Sequence, residues 1–134
     1  GALGDPSLHL LQAQRLAMSK LTHIKGSDRI ASAELGEAFE ANEPQSAPIA
    51  MIRSKDWREG PDAGVWECTP GRWKRAVKNA EFAHFVKGRC EFHHEDGTVL
   101  KIEAGDAVYF PAHTRGTWNV IETVRKTYFL LPPG

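Results

Sequence analysis

The sequence is poor in cysteine, in long apolar runs and in surplus charge, and each shortage removes a class of protein. Two cysteines, Cys68 and Cys90, in 134 residues are too few for a disulfide scaffold. They show neither CxxC spacing nor a metal-ligand cluster, so both read as buried, reduced thiols. No apolar run approaches the roughly 20 residues that a membrane-crossing helix needs, and no basic segment followed by an apolar one opens the chain. The expectation is a soluble, cytoplasmic protein with no membrane partner. Because 17 basic residues balance 17 acidic ones, there is no electrostatic footprint for nucleic acid or an anionic surface. The expected partner is a small molecule or another protein, and weak charge repulsion favours self-association. The opening Gly1-Ala2-Leu3-Gly4 has no initiator methionine and reads as a cloning or cleavage scar.

What is present changes character along the chain. From Pro6 to Leu21, Leu8, Leu11, Leu16 and Leu21 alternate with Gln, Ala and Arg, and Asp5-Pro6 supplies an N-cap and a first-turn proline. This predicts a short helix, whose apolar face must cover the outside of the domain or a second subunit. Between Lys25 and Pro48 the signals are mixed, and residues 42–48 read as a loop. Beyond them come short β-like runs cut by turn residues: Ile49 to Arg53, Gly64 to Thr69, Arg72 to Val77, Glu81 to Lys87, Cys90 to His94, Val99 to Glu103, Ala107 to Phe110, Gly116 to Ile121 and Thr127 to Leu131. Thr69-Pro70-Gly71, Lys87-Gly88, Glu95-Asp96-Gly97 and Ala104-Gly105-Asp106 are the reversals between them. No helical period interrupts this stretch, so the class is all-β: an antiparallel barrel whose closure removes most exposed edges.

Two spacings carry a family resemblance. Glu81 is followed by six residues and Gly88, similar to the second half of the first cupin motif. Gly105-Asp106-Ala107-Val108-Tyr109-Phe110-Pro111 resembles the opening of the second. The flanks Gly64 to Trp73, Gly116 to Val120 and Val124 to Tyr128 resemble the small cupins of the EutQ type and the (S)-ureidoglycine aminohydrolases, the DUF861 group. The resemblance implies an RmlC-like jelly roll over residues 49–134, a helix-and-loop extension over 1–48, and, by family analogy, a homodimer.

The resemblance also implies a metal site that this chain lacks. Metal-binding cupins carry a His-x-His pair before the motif glutamate; here those positions hold Arg75 and Val77, or Lys74 and Ala76. The second-motif histidine falls on Gly116. Only Glu81 remains, and one carboxylate does not hold a transition metal against water, so neither a metal nor another cofactor is expected. A rearranged metal site would have to draw on His84 or His113. On a strand that sends Glu81 inward, Ala83 and Phe85 share its face while His84 points the other way.

With Glu81 inward, Arg75 takes one of the inward places and can face it, as a structural ion pair or as a fork for a ligand carboxylate or amide. Trp66, Trp73, Tyr109, Phe110, Trp118, Tyr128 and Phe129 mostly build core, with Trp118 and Tyr128 available as a ligand wall. Three readings follow. The leading one is a metal-independent binding module holding a small polar metabolite through Arg75, Glu81, Lys126, Trp66 and Trp118. The second is a metal-independent enzyme, aminohydrolase- or isomerase-like, with Glu81 as acid or base and Tyr109, Tyr128 or Lys126 as counterpart, acting on a small nitrogen-containing or carbonyl compound. The third is a dimerising scaffold with a vestigial pocket.

Overall fold

The computed structural model describes residues 6–58 and 62–132; Gly1 to Gly4 and the expected Asp5 cap lie outside them. The helix α1 (Pro6–Ser19) begins at the proline, where a missing N–H costs nothing. Leu8, Leu10 and Leu11 on it remain at least half exposed. A single turn of 3₁₀ helix, Ser32–Leu35, follows. The strands are β1 (Phe39–Glu40), β2 (Pro44–Ser46), β3 (Met51–Arg58), β4 (Ala63–Cys68), β5 (Gly71–Ala76), β6 (Glu81–His94), β7 (Val99–Glu103), β8 (Ala107–Phe110) and β9 (Arg115–Leu130).

All strand pairs are antiparallel, and the sheet curls into a half-barrel. The long strand β9 is its axis. One side of β9 pairs β5 near its start (Arg75↔Gly116, Trp73↔Trp118) and β4 near its end (Trp66↔Lys126, Gly64↔Tyr128). The other side pairs β6 throughout, from His94↔Gly116 to Glu81↔Leu130. β3 lies beyond β4 and β2 beyond β5, while β7 and β8 flank the two halves of β6. Among the described residues no ladder joins β7 or β8 back to β1 or β2. The expected closure therefore comes from side chains meeting across the curl, not from backbone pairing.

Alternation along the strands builds that inner layer. On β6, Glu81, Ala83 and Phe85 are buried while Phe82 and His84 are exposed. At Gly88, held at φ 77°, the register slips and the inward parity moves to Cys90 and Phe92. A bulge of this kind adds a residue, bends the strand and flips its faces. The aromatic centre is Trp118, with Phe92 at 4.9 Å, Phe110 at 5.8 Å and Phe85 at 6.2 Å between ring centroids, within the range of favourable tilted ring pairs. Both cysteines are free and buried in this core.

A second, smaller packing layer lies on the outer face, where the residues between Lys25 and Pro48 cross the sheet. Leu35 and Val65 are fully buried there. The Arg125 guanidinium donates from Nη1 to the Ser27 carbonyl at 3.1 Å, and from Nε and Nη2 to Glu67 Oε1 at 3.1 and 2.9 Å. The extension is thus pinned to the barrel by one apolar plug and by the hydrogen bond from the ion-paired Arg125 to the Ser27 carbonyl, and β1 and β2 within it add to the sheet edges.

Candidate functional site

Strand parity and register bring the site together. Glu81 opens β6, Lys126 and Tyr128 sit two residues apart on β9, and Trp66 is the register partner of Lys126 on β4. Trp73 and Arg75, again two apart, come from β5. These side chains, with Ser54, Trp118 and Leu130, line a cavity of about 150 Å³. That lies below the roughly 300–1,000 Å³ of pockets for drug-sized ligands, and suits a small metabolite.

At its floor Lys126 Nζ donates to Glu81 Oε2 at 2.6 Å, both side chains being more than nine-tenths buried. The ammonium is ringed by Trp66 at 4.5 Å, Trp118 at 5.4 Å, Phe110 at 5.7 Å and Phe85 at 6.0 Å from the ring centroids. Such contacts strengthen as water is excluded. Glu81 Oε1 accepts no hydrogen bond from the described residues and is available to a ligand donor. On the wall, Tyr128 Oη donates to Asp56 Oδ1. Burial first, and then that bond, push the Tyr128 phenol well above its ordinary range, so it stays protonated.

Of the residues singled out from sequence, Arg75, Glu81, Trp66, Trp118, Lys126 and Tyr128 all line this one cavity. The expected Arg75–Glu81 pair does not form: Lys126 holds the carboxylate, while Arg75 stands exposed at the mouth with no hydrogen bond or ion pair among the described residues. Tyr109 is not brought to the site. It pairs Phe82 in the register, on the outer face, and is 55% exposed; Phe110, its neighbour, is the inward residue. Asp56 and Ser54 were missed because β3 reads as ending at Arg53. Continued alternation from Ile52 would have placed both on the inner face.

A metal does not fit the donor set. His84 lies on the outer face of β6, and His113 is exposed in the turn after Pro111 at φ 66°. Among the described residues no three His, Cys, Asp or Glu side chains converge. At Gly116, a Cβ would lie 2.5 Å from the Phe92 ring and 2.5 Å from the His93 carbonyl oxygen, so no side chain can be restored there without displacing a core ring. A divalent ion would also have to share its one carboxylate with an ammonium, beside a guanidinium.

These features can be set beside known proteins. The EutQ protein of Clostridium difficile is 16% identical, with a TM-score of 0.58 over 82% of this chain and 80% of its own. A putative ethanolamine utilization protein Q from Salmonella typhimurium is 18% identical, at 0.54 over 64% and 72%. A DUF861 protein of unknown function from Pseudomonas syringae pv. tomato is 24% identical, at 0.58 over 72% and 45%. At these identities the likeness is one of fold. No curated protein matches the chain. The sequence description of the EutQ-like cupin domain matches residues 59–128, more than half of the chain, and with the half-barrel and both motif segments in place this protein belongs to the EutQ-like cupin family.

Proposed function

We propose that the chain is a small-molecule-binding cupin that works without a metal ion, holding a small polar metabolite between Arg75 at the mouth and Glu81 at the floor. The observation that carries this reading is the Arg75 guanidinium, uncommitted among the described residues, opening onto a cavity where the Glu81 carboxylate has one oxygen that accepts no hydrogen bond from the described residues. Among the described residues that line the cavity, Arg75 and Lys126 outnumber Glu81 by one positive charge, while the Asp56 carboxylate behind the wall is engaged by Tyr128. The ligand therefore presents a carboxylate or similar monoanion to the guanidinium fork, an N–H or O–H to Glu81 Oε1, and a flat or apolar body to Trp66 and Trp118. Small carboxylates, amides and nitrogen-containing metabolites, the last group suggested by the structural likeness to ethanolamine-utilisation proteins and by the motif resemblance to the (S)-ureidoglycine aminohydrolases, make up the screen. In calorimetric titration, Arg75→Ala is expected to weaken the best ligand roughly 10- to 100-fold, the worth of one charge-assisted pair, with an unchanged melting temperature. Unchanged affinity would remove Arg75 from the site.

The 2.6 Å contact of Lys126 with Glu81 supports a second reading, an enzyme that uses the pair for proton transfer with Tyr128 beside it. A Glu81→Gln variant with full turnover on a found substrate would sink that reading. An open cavity weighs against a pure scaffold. Cytoplasmic location and a homodimer stay part of the proposal, and sedimentation equilibrium tests the latter.

A further inference from the structure

We infer that the Lys126 ammonium has taken over the place of the metal ion at the Glu81 site, so the pocket carries its own cation, tethered through β9 and unable to exchange. The inference rests on reading this cavity as the working pocket, and adds what supplies its positive charge. Glu81 is the one position matching the ligand set of metal-binding cupins that keeps an oxygen donor, and one of its two carboxylate oxygens is taken by Lys126 Nζ at 2.6 Å. The ammonium is enclosed by four aromatic rings, whose faces attract a cation electrostatically. Two other ligand positions have been converted in the same sense. Arg75 is a second fixed cation at the mouth, and at Gly116 the Phe92 ring fills the volume where a ligand side chain would begin. The three changes are mutually consistent: a divalent ion would meet like charge at two of these positions and an aromatic ring at the third. A tethered ammonium keeps one positive charge beside the ligand whatever the metal supply. It gives up open coordination positions and redox chemistry in exchange, so the pocket can orient an oxygen but cannot activate a metal-bound water.

The experiment needs no ligand, so failed ligand screens leave the inference standing, whereas a metal found in the site would overturn it together with the metal independence of the proposed function, leaving the ligand contacts of Arg75 to be tested separately. Wild-type protein is incubated with manganese, zinc, nickel or ferrous iron, desalted, and taken to elemental analysis and thermal unfolding with and without chelator. Neither stoichiometric metal nor a chelator-dependent shift is expected. Lys126→Ala, which leaves Glu81 buried without its partner, is expected to melt roughly 10 °C lower. Tens of millimolar methylammonium should restore part of that loss, where sodium chloride at equal ionic strength does not. Stoichiometric metal in wild type that disappears in Glu81→Gln would overturn the inference, as would a Lys126→Ala protein that responds to methylammonium and sodium alike. If Lys126→Ala does not fold, the double variant Glu81→Gln/Lys126→Met decides. Removing both charges should recover a folded protein, whereas a double variant as unstable as the single one would mean that the ammonium is not the carboxylate's essential partner.

Discussion

Arg125 and Lys126 are adjacent on β9, point to opposite faces of the sheet, and each neutralises a buried carboxylate: Glu67 outside, Glu81 inside. The side-chain period of two along a strand makes this division automatic, and gives the two pairs different duties. The outer pair clamps the extension, since Arg125 is 1% exposed and also reaches the Ser27 carbonyl. Removing one member of a buried pair strands the other charge, at about 3–5 kcal/mol, whereas Lys87, 4.0 Å from Glu67 and half exposed, can compensate little. Arg125→Ala and Glu67→Gln should therefore each lower the unfolding free energy in urea by about 3 kcal/mol or more, the first by stranding the Glu67 carboxylate and the second by stranding the Arg125 guanidinium; small losses in both would show that the clamp is not structural. At this scale the inner site was largely legible: alternation from Glu81 placed Ala83 and Phe85 inward, and Arg75, Trp66, Trp118, Lys126 and Tyr128 all reach the cavity. The choice between Arg75 and Lys126 as the partner of Glu81 was not legible. It depends on the register of β9 against β4 and β6, a pairing between segments far apart in the chain that local patterns do not encode.

At the scale of elements, β6 and β9 each read from sequence as two runs, yet each is one long bent strand. Lys87-Gly88 carries the residue chemistry of a reversal, because a glycine at positive φ serves both a hairpin and a bulge. What separates them is the neighbouring strand. A Cβ on Gly88 would come within 1.9 Å of the Thr123 carbonyl oxygen on β9, so the backbone of β6 passes too close there for any side chain. Gly105, at φ 101°, has open space on the same side: a Cβ there would meet no atom within 4 Å. Gly105→Ala should cost only the conformational penalty, roughly 1–2 kcal/mol, and Gly88→Ala at least about 3 kcal/mol. Chemical unfolding of the two variants side by side checks the difference, and similar losses would mean that the bulge relaxes freely. The extension was the least legible element. β1 and β2 are too short to show periodicity, and they become strands only because the edges of β3 and β5 offer unpaired backbone.

At the scale of the whole molecule, the groups held neutral in the interior set how stability responds to alkali. Burial pushes both Cys68 and Cys90 up to about 12 from an ordinary 9.0, and Tyr128 is raised as well. Between about pH 9 and 12 the folded chain keeps two thiol protons that the unfolded chain releases. Fewer protons bound in the unfolded state means that stability declines as pH rises. The contribution of the thiols is intact below about pH 9 and is lost on the way to 12, with a slope of about 1.4 kcal/mol per pH unit for each. Guanidinium unfolding followed by tryptophan fluorescence should give a midpoint that falls from about pH 9 upward. In Cys68→Ala/Cys90→Ala the thiol part of that limb disappears, and the onset moves to about pH 10, where the phenol of unfolded Tyr128 begins to ionise. The same burial predicts that neither thiol of the native protein reacts with an aromatic disulfide reagent at pH 8 until the chain unfolds. An alkaline limb unchanged in the double variant would place its origin outside the barrel core. Rapid native-state labelling would mean that the half-barrel opens on its unpaired edges, which side-chain packing alone then fails to hold together.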